Sequence, residues 1–150
     1  MARWPIRTSR FRLEGVIAVK LIIAYIKPEK LEDVKKELSA REVFRMSVSK
    51  AKGCGETRGY VASYRGIKKD VYLLPKLRIE IAVNDDFTDV VIDGILKAAN
   101  TGSIGDGKIF VVPLEECIRI RTGERGPNAI GGKSKFATKF NGEAQGQTAD

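Results

Sequence analysis

Histidine is missing from all 150 residues, which excludes Ser-His and Cys-His nucleophile pairs, HExxH zinc sites and imidazole pH switches. Cysteine is scarce. Cys54 and Cys117 stand far apart with no CxxC pair, so neither a zinc site nor a redox centre is supported. One disulfide in an exported protein is conceivable, yet no export signal accompanies the pair and reduced thiols in a cytosol are expected. Long apolar runs are also lacking. Arg3, Arg7, Arg10 and Arg12 precede Gly15-Val16-Ile17-Ala18-Val19 in the manner of a signal peptide, but Lys20 interrupts the run and no small-x-small cleavage site follows. No other segment reaches the ~18 apolar residues a transmembrane helix needs.

What remains is the composition of one ordinary soluble domain, 43% hydrophobic and 31% charged. The net charge is +8, from 27 Lys+Arg against 19 Asp+Glu. Residues 1–18 hold four Arg and one Glu, so much of the excess sits in a basic extension, read as disordered or as the product of a start codon set too far upstream. The remaining chain is only mildly basic, which favours anionic ligands and falls short of a duplex-binding surface; no specific nucleic-acid partner is expected. The folded domain is placed at 19–130. The Gly-, Lys- and Gln-containing stretch 131–150 is read as a flexible tail.

Lys20–Ile26 is Ile-rich and runs into Lys27-Pro28, as a buried strand ending at a turn does. Pro28, Glu29, Glu32 and Asp33 suit a helix start, and Leu31, Val34 and Leu38 recur at helical spacing. Phe44, Met46 and Val48 alternate with polar residues, predicting a second strand. Residues 53–70, with four glycines and no sustained period, read as a long functional loop. Leu77, Ile79, Ile81 and Val83 predict a third strand; Phe87, Val90, Val91 and Ile95 predict a second helix capped by Asn84-Asp85-Asp86. Lys108–Val112 and Cys117–Thr122 complete the set as two short strands.

An offset of 56 residues aligns Lys20 with Lys76, Leu21 with Leu77 and Ile23 with Ile79, so the chain reads as two βαβ halves. The fold class expected is α+β: a ferredoxin-like βαββαβ sandwich with two helices on one face of an antiparallel sheet. Its uncovered face then invites oligomerisation.

Two clusters carry candidate chemistry. Thr101-Gly-Ser-Ile-Gly-Asp-Gly-Lys108 holds three glycines that let backbone turn closely about an anion, with a cation at the exit. It lacks Walker A spacing, and a plain helix-to-strand connector is the alternative. Arg119 and Arg121, two apart on the expected last strand, would share a face and with Lys108 could neutralise a triphosphate; a solvated edge strand is the competing reading.

TGSIGDGKIFV and IRIRTGERG, with KPEKLEDVKKEL and YRG…LPKLRIEI, closely resemble the PII nitrogen-regulatory signalling proteins from Val19 to about Ile130. The resemblance implies a homotrimer binding ATP or ADP in clefts between subunits, Mg²⁺ accompanying ATP, and 2-oxoglutarate sensed alongside MgATP. It implies no catalytic residues and a loop that docks onto an ammonium transporter or a nitrogen-metabolism enzyme, which makes the protein cytoplasmic and at most peripheral to a membrane. Carried over by residue, phosphate contacts fall on Lys108, Arg119 and Arg121 with the backbone of Gly105, Asp106 and Gly107. Adenine-side contacts fall near Ser47, Glu80, Ala82, Thr101 and Ile104, and Gly55 lies at the loop base. Lys76, Thr57 and Gly59 fall at the 2-oxoglutarate site, and Tyr64, Arg65 and Gly66 at the target-binding apex.

This chain departs from the family pattern in having Glu56-Thr57 where an Arg-Gln pair is usual. A carboxylate there predicts weaker triphosphate binding or a displaced loop base. Lys69 stands where some bacterial members carry a nucleotidylated tyrosine, so that modification is not expected. The alternative reading from another class is a small ferredoxin-like hydrolase acting on phosphoryl or acyl-phosphate substrates, for which no positioned base or nucleophile can be named.

Overall fold

Strand-forming and helix-forming stretches alternate along the chain, and the computed structural model, which describes residues 19–55, 60–71 and 73–131, assembles them in two layers. The strands are β1 (Val19–Ile26), β2 (Ser47–Gly53), β3 (Tyr60–Tyr64), β4 (Ile67–Val71), β5 (Leu74–Asn84) and β6 (Lys108–Leu114). The helices are α1 (Leu31–Ala40), α2 (Thr88–Ala99) and the single turn α3 (Pro127–Ile130). A four-stranded sheet runs β2-β5-β1-β6, every neighbouring pair antiparallel, and β3 and β4 form a separate hairpin. This is the ferredoxin-like order expected from sequence.

Register decides which face each side chain takes. Ile22 pairs with Ile81 and Ala24 with Ile79, and all four turn to the helices and are buried. Val34 and Leu38 of α1 and Val91 and Ile95 of α2 close the same core, each full aliphatic burial contributing roughly 1.5–3 kcal/mol. The helices meet closely at Gly94, where an added Cβ would lie 3.0 Å from Leu38 Cδ2. Glu37 spans the pair, accepting from Arg41 Nη2 at 3.0 Å and Lys97 Nζ at 3.1 Å. Lys97 first, and then Arg41, hold its carboxyl below the usual range.

The two-halves reading stands with its register corrected. Buried equivalents are Ile22 and Ile79, Val34 and Val91, Leu38 and Ile95, all 57 apart rather than 56. A one-residue shift exchanges the faces of a strand, so the identities at 56 match residues on opposite faces of the sheet.

Four further expectations change. Residues 44–46 are not strand: the chain turns at Glu42, with φ +62, and pairing begins only where Ser47 meets Glu80, leaving Phe44 69% exposed. The stretch 53–70 is not structureless, because β3 and β4 pair within it in a two-residue hairpin. Nor is Cys117–Thr122 a strand. Only the Ile118–Arg125 bridge forms there and residues 120–122 turn, so Arg119 and Arg121 share no strand face. The alternation of Ile118 and Ile120 mimicked a strand, but no sheet edge receives them; Ile120 is fully exposed. Their neighbour β6 is longer than expected, reaching Leu114 with Pro113 on an edge strand that tolerates it.

Candidate functional site

The glycine-rich turn lies where β1 ends and β5 and β6 begin. Asp106 organises it from within. Its Oδ2 accepts the backbone N–H of Thr101 at 2.8 Å and of Gly102 at 3.0 Å, while Oδ1 accepts the Thr101 hydroxyl at 2.5 Å. Lys27 Nζ, just past β1, reaches Asp106 Oδ1 at 3.1 Å and Ser103 Oγ at 3.0 Å. The bonds from Thr101, with Lys27 after them, hold the Asp106 carboxyl well below the ordinary aspartate range. Gly105 and Gly107 have φ +99 and +100, a region that side chains disfavour. The turn is thus fixed by Asp106 within it and by Lys27 from the end of β1, with Lys108 exposed at its exit and without a hydrogen-bond or ion-pair partner among the described residues.

The same end of the sheet gathers the loop base. Gly53 closes β2 opposite Leu74, and a Cβ there would be 3.7 Å from Lys76 Cγ. Lys76 Nζ donates to the Gly105 carbonyl, which ties β5 to the glycine turn. Gly55 is the last described residue before 56–59, so the expectations on Glu56, Thr57 and Gly59 lie outside the described residues.

Ser47, Glu80 and Ala82 share the helix-free face. Ser47 pairs with Glu80, and Ala82 follows two residues along β5. Glu80 is ion-paired at 2.6 Å with Arg78, whose guanidinium lies 5.9 Å from the Tyr25 ring centroid. Leu21, Ile23 and Tyr25 occupy this face on β1, beside Val112, Phe110 and Lys108 of β6 in register. Tyr25 meets Phe110 edge-to-face, ring centroids 6.3 Å apart, and Phe110 remains 48% exposed. Thr101 and Ile104, expected near adenine, are exposed on the turn, the Thr101 hydroxyl being committed to Asp106.

Arg119 and Arg121 sit elsewhere. Arg119 Nη1 is ion-paired with Glu124 at 2.6 Å, Nη2 donates to Asn128 O at 2.9 Å and Nε to Ala129 O at 3.3 Å. It is therefore held against α3, which packs on β5 and whose Ile130 borders an apolar groove of about 270 Å³ lined by Phe44, Ile81 and Val83. Lys108, paired with Tyr25 on the opposite edge strand, belongs to the other end of the sheet. Arg121 is exposed, without a hydrogen-bond or ion-pair partner among the described residues.

The hairpin ends in Tyr64-Arg65-Gly66-Ile67. Arg65 and Gly66 have φ +51 and +76, the left-handed pair of a type I′ turn. The Arg65 guanidinium covers the Tyr64 ring at 5.4 Å, and Tyr64 and Ile67 are 73% and 72% exposed. Three residues that sequence reasoning passed over shape these sites: Lys27, Arg45 and Arg78. Lys27 read only as the end of a strand, and nothing in local spacing marks its reach to Asp106, 79 positions along the chain.

The family model described as nitrogen regulatory protein P-II matches residues 19–124. Nitrogen regulatory protein GlnK1 of Methanosarcina mazei is 50% identical over 117 residues, covering 77% of this chain and all of that protein. Nitrogen regulatory protein P-II 2 of Methanothermobacter thermautotrophicus is 49% identical over 115 residues, with 77% and 100% coverage. Nitrogen regulatory protein GlnK of Escherichia coli is 48% identical over 112 residues, with 75% and 100% coverage.

Proposed function

The chain belongs to the nitrogen regulatory protein P-II family, and from that premise we propose that it senses ATP and ADP at clefts between subunits of a homotrimer. The observation that carries the reading is the preformed glycine turn with Lys108 uncompensated at its exit. Asp106 takes the N–H groups of Thr101 and Gly102, so an anion would meet those of Gly105, Asp106 and Gly107 beside the unpaired Lys108, in a turn that costs little to reorganise.

One chain holds Lys108 and Arg119 at different ends of its sheet, so a cleft using both needs a second copy. The apolar row on the helix-free face, with Phe110 and Val112 exposed and Ile23 and Leu21 half-buried beside them, is the surface such a copy would bury. Ser47, Glu80 and Ala82 then line the adenine side, Gly55 and the backbone of Gly105, Asp106 and Gly107 the phosphate side. Lys76, within reach of the turn, would exchange its bond to the Gly105 carbonyl for a carboxylate of 2-oxoglutarate in the presence of MgATP. The role is regulatory rather than catalytic, and ATP turnover stays below about 1 s⁻¹.

The output is the β3–β4 hairpin, whose Tyr64-Arg65-Gly66 tip docks onto an ammonium transporter or a nitrogen-metabolism enzyme. Among the described residues no helix is long and apolar enough to cross a membrane, and a cytoplasmic protein peripheral to a transporter is the proposed setting. Isothermal titration with ATP and ADP, with and without Mg²⁺ and 2-oxoglutarate, tests the proposal. Saturable binding of either nucleotide is expected; no heat from either at millimolar concentration overturns it.

A further inference from the structure

We infer that α3 is an intramolecular competitor for polyphosphate at Arg119, so that nucleotide binding loosens the C-terminal segment; the inference rests on the nucleotide reading above. Each nitrogen of the Arg119 guanidinium already has an acceptor: Glu124 Oε2, Asn128 O and Ala129 O. Arg45 Nη1 donates to the next carbonyl, that of Ile130. Two guanidinium groups therefore close on three successive carbonyl oxygens at the end of one helical turn. The chain leaves between them at Gly131, which has φ +72 and where a Cβ would stand 2.6 Å from Arg45 Nη1 and 3.1 Å from Arg119 Nη2.

The electrostatics favour exchange over sharing. A polyphosphate at Arg119 places several negative charges beside the Glu124 carboxylate and the α3 carbonyl oxygens. Guanidinium bonds to phosphate are charge-assisted and bidentate, and so stronger than bonds to neutral carbonyls. The anion thus takes Arg119 and leaves α3 to Arg45. A single helical turn does not persist unaided, so its hydrogen bonds weaken when that grip is lost. Coupling of this kind is reciprocal: a looser α3 means tighter nucleotide binding.

Hydrogen exchange on the full chain, with and without saturating ADP, tests the inference at the amides of Ala129 and Gly131, which donate to Gly126 O and Pro127 O. ADP titrations of Arg45→Ala and Gly131→Ala complete it. Exchange at both amides should accelerate roughly tenfold on ADP binding, and each variant should bind ADP about threefold to tenfold more tightly. Should Gly131→Ala fail to fold, Arg45→Ala, at an exposed side chain, decides. Normal ADP binding with unchanged or slower exchange and unchanged variant affinity overturns the latch and leaves the nucleotide reading standing. Absence of ADP binding by the unaltered chain overturns that reading, and the latch with it.

Discussion

Gly107 lies so close to the backbone of Tyr25 that a Cβ built on it would come to 1.6 Å from the Tyr25 carbonyl oxygen. The contact fastens the glycine turn to the last residues of β1, and through β1 to the core. The turn owes its shape to this approach as well as to Asp106.

Gly107→Ala should therefore cost about 3 kcal/mol or more, from the combined backbone clash and the strain of φ +100. Urea unfolding measures it. A midpoint within error of the unaltered protein would mean the turn is free to move away from β1.

Asp106→Asn should weaken ADP binding roughly tenfold by loosening the turn. Because the folded-state pKa of Asp106 is depressed, its contribution to stability is fully present above the unfolded value of about 3.9 and fades only as pH falls through the lower folded value. The stability gap between the two proteins should accordingly hold level from neutral pH down to about 4 and narrow below it. A gap that closes between pH 7 and pH 5 contradicts this assignment.

Lys108→Met and Arg121→Met remove cations without partners among the described residues. Each should lower ADP affinity by about tenfold to a hundredfold while changing stability by less than ~0.5 kcal/mol. Titration alongside thermal unfolding separates the two effects, and loss of stability in place of affinity would assign these side chains to the fold.

Phe110→Glu puts a carboxylate on the helix-free face beside Tyr25 and Ile23. The mass in solution, read by light scattering, should fall from that of a trimer to that of a monomer. A trimer that survives the change would place the subunit contact on another face.

Arg65→Ala alters only the exposed hairpin tip, so unfolding should be unchanged within about 0.5 kcal/mol while co-sedimentation with transporter-containing membranes is lost. Undiminished co-sedimentation would remove Arg65 from the target contact.

Strands β1 and β5, helices α1 and α2, and the glycine turn were all legible in the sequence, since each is announced by local periodicity or by turn-forming residues. The hairpin within 53–70 was not. Its turn depends on Arg65 taking φ +51, which no propensity favours for arginine, and its strands lack the alternation that marks a half-buried sheet. The start of β2 was misplaced because Phe44 continues an alternating pattern while the chain, leaving its turn at Glu42, does not pair with β5 until Ser47, although β5 itself runs on to Asn84. Among site residues, Lys108 stood out through its own loop, whereas Lys27 and Arg45 became visible only through what they touch.

Sequence by itself determined the layer architecture and the turn, because hydrophobic period and glycine placement act over a few residues. Only the tertiary structure decided that Arg119 is taken up by α3, that Lys108 lies at the other end of the sheet, and that the two halves repeat at 57 rather than 56. Those outcomes depend on strand register and on which distant carbonyl a guanidinium reaches, and both are set by packing across the whole domain rather than by neighbours along the chain.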